Sequence, residues 1–141
     1  MEHSLIKLEQ EALALMNAGN FKQAAELFST IIRSNPEYEH GMCFYNLAGC
    51  YEDLGEYEKA EECYRRALQY VPTDQIRLGG YASFLYLHGA PHQAFDVYLS
   101  LFKLERTTGN KGEAEKTELV LKDLARKIGL ADEALAEKIK I

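Results

Sequence analysis

The sequence predicts an all-α protein, a superhelical solenoid of three helix-turn-helix repeats followed by one or two C-terminal helices. Two observations predict this class. A set of marks recurs three times along the chain, at an offset of 36 and then of 34 residues, and a period of this length is typical of stacked helical repeats. Between the marks, apolar residues recur at helical spacing.

The three copies of the marks begin at Gly19, Gly55 and Gly89. A ring-bearing residue follows two positions later, an alanine five positions later and an aromatic residue nine positions later. These residues are Phe21, Ala24 and Phe28; Tyr57, Ala60 and Tyr64; and Pro91, Ala94 and Tyr98. Glycine ends a helix in a left-handed conformation at little cost, and alanine lets two helices approach closely. Each copy therefore predicts a turn between two packed helices.

The apolar residues before each turn predict the first helix of each repeat, because their spacing places them on one side of a helix. They are Leu5, Leu8, Ala12 and Leu15; Phe44, Leu47, Ala48 and Tyr51; and Leu78, Tyr81, Ala82 and Leu85. Pro36 and Pro72 are expected to end the second helices of the first two repeats. The third copy has Arg106 at the corresponding position, so its second helix is predicted to continue through residues 101–106.

These residues resemble the tetratricopeptide repeat. The second copy matches the pattern of that family most completely, with Phe44, Leu47, Ala48, Tyr51, Ala60, Tyr64, Ala67 and Pro72 at the signature positions. The resemblance implies a single domain over residues 1–141, with repeats at about 5–38, 41–74 and 75–108 and C-terminal capping helices at about 112–141.

Two amphipathic segments follow the third repeat, at residues 113–128 and 131–140, and Gly129 separates them. A solenoid needs a terminal element with a polar outer face to cover its exposed core. We therefore expect a cap. The alternatives are that these helices dimerise, dock a partner or fill the groove of the same chain.

Composition excludes several classes of protein. The chain has 141 residues, 47% of them hydrophobic, and a formal net charge of −6, which is typical of a globular protein and unfavourable for binding nucleic acid. No basic N-terminal region precedes an apolar run, and no segment has the length and hydrophobicity of a membrane span. These features predict a cytoplasmic protein without nucleic-acid or membrane partners.

The potentially reactive side chains do not form a catalytic or metal-binding pattern. Cys43, Cys50 and Cys63 are odd in number and lie among apolar residues, so buried free thiols are expected. His88 and His92 are four residues apart, but the intervening glycine and proline interrupt the helix that a zinc pair would need. The sequence therefore predicts no enzyme, no cofactor and no metal.

The resemblance implies a concave groove, lined by the first helices of the repeats, that binds a peptide or helix of a partner protein. The expected partner-binding residues are Leu13, Met16, Asn17, Met42, Tyr45, Asn46, Gly49, Glu52, Ile76, Gly80, Ser83 and Tyr86. The clamp with which some family members grip a chaperone C-terminus is not expected. Glu9, Leu13, Ile76 and Gly80 stand where that clamp needs basic or amide side chains.

Two features of this groove each have two interpretations. A glycine within a helix lowers the stability of that helix by about 1 kcal/mol relative to alanine, so the glycines of this groove require an explanation. Gly49, Gly79 and Gly80 either leave room for a ligand backbone or allow tight helix packing or a kink. The acidic residues between positions 52 and 62 either form a solvated face or favour a partner with basic residues.

Together the residues and the resemblance predict a non-catalytic protein-interaction module, an adaptor or a small chaperone. In architecture it is similar to the small chaperones of bacterial type III secretion. The alternative is a structural module that forms a homodimer or larger homo-oligomer through its C-terminal helices or an exposed end of the solenoid.

Overall fold

The computed structural model describes residues 2–140, which form eight α-helices, one short 3-10 turn and no strand. The helices are α1 (Glu2–Asn17), α2 (Phe21–Ser34), α3 (Met42–Asp53), α4 (Tyr57–Tyr70), α5 (Gln75–Leu87), α6 (Pro91–Thr107), α7 (Lys111–Ile128) and α8 (Asp132–Ile139). The 3-10 turn is Tyr38–Gly41. The prediction of three helix pairs and further C-terminal helices is confirmed.

The chain divides into two compact units, Met1–Pro72 and Thr73–Ile141, called here the N-terminal and C-terminal units. In the N-terminal unit α1 packs against α2, α2 against α3, and α3 against α4. In the C-terminal unit α5 packs against α6 and α6 against α7, while α8 contacts both α6 and α7.

The predicted glycine turns are present. Gly19, Gly55 and Gly89 have φ values of +83°, +78° and +80°, the left-handed conformation that glycine adopts without steric cost. The amide after each glycine donates a hydrogen bond to a carbonyl five residues earlier, which satisfies a helix-end carbonyl. These bonds join Asn20 to Leu15, Glu56 to Tyr51 and Ala90 to Leu85.

The ends of the second helices also agree with the sequence. Helices α2 and α4 end shortly before Pro36 and Pro72, whereas α6 continues through Arg106 and is 17 residues long, compared with 14 residues for α2 and for α4. Helix α7 begins at Lys111, two residues before the predicted segment. Ala24, Ala60 and Ala94 are fully buried, as close packing of the paired helices requires.

Helix α7 packs along α6 with one stripe of buried side chains. These are Ala114, Thr117, Leu121, Leu124 and Ala125. Val120 and Ile128 of the same helix are half-buried. Helix α7 therefore covers α6, as a capping helix does.

The three cysteines are buried and free, which confirms the prediction of buried free thiols. Burial raises the pKa of the Cys43 thiol to about 12 and those of Cys50 and Cys63 to about 11. Thiols in this state are poor nucleophiles at neutral pH. No helix within residues 2–140 is long and apolar enough to cross a membrane.

The 3-10 turn before α3 contains a left-handed segment that the sequence analysis did not anticipate. Glu39, His40 and Gly41 all have positive φ, at 50°, 54° and 77°. Glutamate and histidine adopt this conformation rarely. Tyr38, at the start of the turn, is buried, and its position places Glu39 close to α1.

Candidate functional site

The turn glycines give a common register to the first helices of the repeats. Met16, Glu52 and Tyr86 each lie three residues before the glycine that ends their helix. Helix α7 ends in the same way, at Gly129 with φ +75° and a bond from the Leu130 amide to the Ala125 carbonyl. By this register α7 is equivalent to the first helix of a fourth repeat. Its exposed side corresponds to the predicted groove side of α5.

The N-terminal unit contributes the side of α1 and α3 that does not pack against α2 and α4, called here the N-terminal face. Its predicted binding residues are half-buried except for Asn17, which is exposed. The half-buried residues are Leu13, Met16, Met42, Tyr45, Asn46, Gly49 and Glu52. A half-buried mixture of apolar, amide and acidic side chains suits reversible contact with another polypeptide.

Two of the predicted groove glycines, Gly49 and Gly79, are not required for tight helix packing. A Cβ added to Gly49 would meet no atom within 4 Å, and one added to Gly79 would meet only the Leu101 side chain, at 3.9 Å. Gly80 is half-buried. Helix packing therefore does not explain Gly49.

Glu52 on the N-terminal face is held by the signature tyrosine of its repeat. The Tyr64 hydroxyl donates a hydrogen bond of 2.7 Å to Glu52 Oε1. The Tyr45 ring meets the Tyr64 ring edge-on, with 5.8 Å between centroids. Burial, followed by the bond to Glu52, raises the pKa of Tyr64 above its ordinary value, so this hydroxyl remains a donor at physiological pH.

Glu9 occupies a similar arrangement on α1. The Tyr38 hydroxyl donates to Glu9 Oε1 at 3.2 Å. Burial raises the pKa of Glu9, and a hydrogen bond with Glu39 and the negative charge of Glu39 raise it further, while the bond from Tyr38 acts in the opposite direction. The left-handed turn thus brings a second carboxyl group next to Glu9.

The C-terminal unit contributes the corresponding sides of α5 and α7, called here the C-terminal face. Three of its large apolar side chains are strongly exposed: Ile76 at 63%, Leu87 at 66% and Leu119 at 66%. Gly80 and Ser83 lie between the first two on α5 and are half-buried. Leu119 was absent from the predicted binding residues because those residues were taken only from the first helices of the three predicted repeats.

Tyr86 is hydrogen-bonded to α7. Its hydroxyl donates to Asp123 Oδ2 on α7, and Lys127 Nζ lies 3.3 Å from the same hydroxyl and 4.5 Å from the ring centroid. The bond from Tyr86, and then that from Lys127, lowers the pKa of Asp123. Tyr86 therefore joins α5 to α7 in addition to lying on the predicted groove side.

The acidic run from residue 52 to residue 62 is divided between different surfaces. Glu52 lies on the N-terminal face, whereas Glu56 and Glu61 form ion pairs with Lys59 and Arg65 along α4. Glu58 and Glu62 are exposed. Only part of the run can therefore contact a partner on the N-terminal face.

The histidines lie on separate elements. His88 follows the end of α5 and packs against Phe84, with 4.9 Å between ring centroids, while His92 lies in the first turn of α6. No group of three or more histidine, cysteine, aspartate or glutamate side chains that could hold a metal ion occurs in the part of the chain that the structure describes.

A family model described as tetratricopeptide repeat matches residues 10–75. A search of curated protein sequences gives no significant match.

Three solved structures illustrate the likeness of the fold. The type III secretion translocator chaperone SycD of Yersinia enterocolitica has a TM-score of 0.79 at 17% identity, covering 92% of this chain and 89% of that chain. PcrH, in complex with the chaperone binding region of PopD, has a TM-score of 0.78 at 19% identity, with coverages of 90% and 95%. The TPR2B domain of yeast Sti1, in a complex with pHsp70, has a TM-score of 0.75 at 12% identity, with coverages of 87% and 97%. These TM-scores show the likeness of the fold alone, and the predicted all-α solenoid class is confirmed.

Proposed function

Residues 10–75 of this chain belong to the tetratricopeptide repeat family, and from this premise we propose that the protein is a non-catalytic protein-interaction module. It acts as an adaptor or a small chaperone and holds a peptide or helix of a partner protein on its inner helix faces. The proposal includes a cytoplasmic location and neither cofactor nor metal.

The observation that carries this proposal is Gly49. A glycine within a helix costs about 1 kcal/mol relative to alanine, and a Cβ at this position would meet nothing within 4 Å. Gly49 lies among the half-buried residues of the N-terminal face. A bare backbone on this face gives a partner backbone room to approach, and this gain offsets the cost to the helix.

The similar structures support the same class of function. The two secretion proteins are a translocator chaperone and a protein in complex with a chaperone binding region, and the Sti1 domain is in a complex with pHsp70. The residues of the present chain do not support a clamp for a chaperone tail. Glu9 would repel a terminal carboxylate, so we propose a different partner.

The test compares two glycine substitutions that are matched in chemistry but differ in location. Gly49→Gln places a neutral, helix-favouring side chain on the N-terminal face, and Gly112→Gln places the same side chain in the first turn of α7, where an added Cβ also meets no atom within 4 Å. Both variants are expected to fold, as checked by circular dichroism. Proteins captured from a lysate should be lost with Gly49→Gln and retained with Gly112→Gln.

Equal capture by both variants would remove the N-terminal face from the proposed function. Self-assembly would then become the leading alternative. Light scattering coupled to size-exclusion chromatography distinguishes that alternative, because a homo-oligomer keeps a mass above 16.0 kDa in the absence of any partner.

A further inference from the structure

A carboxyl group is buried where α6 meets α7. Glu105 of α6 is 4% exposed, and its carboxyl group forms a hydrogen bond with Thr117, which belongs to the buried stripe of α7. Within residues 2–140, Glu105 Oε1 has no hydrogen-bond partner. A buried carboxylate with an unpaired oxygen loses hydration that nothing replaces. The contact between these two helices therefore favours the neutral form of Glu105.

The charged groups of α7 and α6 do not offset a negative charge on Glu105. Glu113 of α7 acts on it with a like charge, and Lys116 forms an ion pair with Glu113 at 3.2 Å. On α6 itself, the exposed Arg106 lies over the ring of Phe102, 5.8 Å from its centroid. The nearest charge that acts on Glu105 is therefore of the same sign.

The other helices that pack against α6 are α5 and α8. At the start of α5, Arg77 forms an ion pair with Asp74 at 2.8 Å. The charged side chains of α8 are all exposed, and they are Asp132, Glu133, Glu137 and Lys138. In the part of the chain that the structure describes, no cation lowers the pKa of Glu105. An ionised Glu105 would thus be buried without an opposite charge.

The sign of the pH dependence follows from these surroundings. Burial raises the pKa of Glu105, the bond with Thr117 lowers it, and the net direction is above 4.5, its ordinary value. The packed state binds this proton more tightly than a state in which α7 has separated and Glu105 is hydrated. The stabilising contribution is complete below pH 4.5 and is lost as the pH rises through the elevated pKa.

Helix α7 also carries the partners of Tyr86. Asp123 accepts a hydrogen bond from the Tyr86 hydroxyl, and Lys127 Nζ lies 3.3 Å from the same hydroxyl. Both contacts require α7 to be in its packed position. A change in the packing of α7 on α6 therefore reaches a residue of the predicted binding face.

We propose that the protonation state of Glu105 controls how firmly α7 packs on α6. Protonated Glu105 allows close packing, whereas ionised Glu105 loosens α7, together with its bonds to Tyr86, while the N-terminal unit stays folded. Local opening of one element without global unfolding is common in folded proteins. This device goes beyond the proposed function and does not depend on it, because no partner takes part.

The test is hydrogen–deuterium exchange of the full chain, followed by mass spectrometry. Wild type and Glu105→Gln are compared at each pH, so that the intrinsic effect of pH on exchange cancels. Glutamine is neutral at every pH and similar in shape to protonated glutamate. The ratio of the wild-type to the variant exchange rate in α7 should rise by roughly three- to tenfold between about pH 4 and about pH 8, since one pH unit of elevation corresponds to about a tenfold change in the opening equilibrium.

Two controls accompany this comparison. Glu115→Gln removes an exposed carboxylate from the same helix, and its ratio in α7 should change by less than about 1.5-fold over the same range. Amides of α3, in the N-terminal unit, should give a constant ratio for both variants. In the wild type alone, the protection of α7 relative to α3 should fall as the pH rises, so the test does not require Glu105→Gln to fold.

Each possible failure has a distinct meaning. A constant ratio in α7 for Glu105→Gln, or a constant relative protection of α7 in the wild type, would overturn the proposal. An equal rise in α7 and α3 would also overturn it, because the ionisation would then act on global unfolding. None of these results bears on the binding of a partner, which is tested separately by Gly49→Gln.

Discussion

Gly41 and Gly49 show how the same residue type can have opposite roles within one repeat. Gly41 precedes α3 with φ +77°, and a Cβ there would approach carbon atoms of the Tyr70 ring to well inside van der Waals contact. Gly49 has helical geometry and open space around its Cα. The first glycine is required by the fold, whereas the second is not.

We expect Gly41→Ala to destabilise the protein by about 1–3 kcal/mol, because alanine resists a positive φ and the ring of Tyr70 must move. Gly49→Ala is expected to stabilise it by up to about 1 kcal/mol, because alanine is the better helix former. Urea denaturation followed by circular dichroism measures both effects. A stabilising Gly41→Ala would contradict the assigned backbone geometry.

Glu105 is a second residue whose role depends on its surroundings. It lies near the end of α6, only 4% exposed, and its Oε1 has no hydrogen-bond partner among the described residues. Burial raises the pKa of its carboxyl, a hydrogen bond with Thr117 of α7 lowers it, and the charge of Glu113 raises it. The net direction is upward, so the folded state binds the proton of Glu105 more tightly than the unfolded state.

The contribution of Glu105 to stability should therefore be greatest below pH 4.5, its ordinary pKa, and should fall as the pH rises through the elevated pKa of the folded state. Glu105→Gln should abolish this loss and increase stability at pH 7 by roughly 1 kcal/mol. The difference in unfolding free energy between wild type and variant is measured from pH 4 to pH 8. Exposed Glu115→Gln is the control, and an equal effect there would refute the role of burial.

At the scale of elements, α7 contributes both to the packing of the C-terminal unit and to its exposed surface. Its buried stripe covers α6, and its Asp123 and Lys127 bind Tyr86 of α5. Its opposite side exposes Leu119. Because α7 also holds a residue of the predicted binding face, it links the stability of the C-terminal unit to the shape of that face.

Removal of residues 111–141 is expected to destabilise the C-terminal unit and to cause aggregation, because Phe102 and Glu105 of α6 lose the cover of α7. Removal of residues 131–141 alone should have a smaller effect, since α8 contributes a single buried side chain, Leu135. Thermal unfolding and light scattering measure both. A soluble, fully folded product of the longer deletion, with a mass reduced from dimer to monomer, would identify an assembly element instead of a cap.

At the scale of the whole molecule, the two compact units contain different chemistry. The N-terminal unit carries the net charge and the carboxylates Glu9 and Glu52, while the C-terminal unit is neutral and exposes Ile76, Leu87 and Leu119. This difference is invisible in the overall composition.

We propose that residues 1–141 form a single cooperative domain, as the repeats predict. Neighbouring repeats in solenoids stabilise one another through their shared interfaces, so calorimetry should show one transition whose van't Hoff and calorimetric enthalpies agree. Gly41→Ala, in the N-terminal unit, should lower the temperature of that entire transition. Two separate transitions, with only one shifted by the substitution, would show that the units unfold independently.

The sequence by itself determined the helices and their ends. Gly19, Gly55 and Gly89 specify left-handed turns, and Pro36 and Pro72 end helices, because these effects depend on the backbone of one or two residues. The absence of a closing proline at Arg106 correctly predicted the longer α6. Such local rules, repeated three times, were sufficient to predict the fold class.

The tertiary structure decided which of the predicted face residues have partners. The bonds of Glu9 with Tyr38, of Tyr86 with Asp123 and of Tyr86 with Lys127 join residues 29, 37 and 41 positions apart. The left-handed Glu39 and the orphaned Oε1 of Glu105 likewise follow from the packing around them. Helical periodicity assigns a residue to a side of its own helix, but it contains no information about which distant side chain lies opposite.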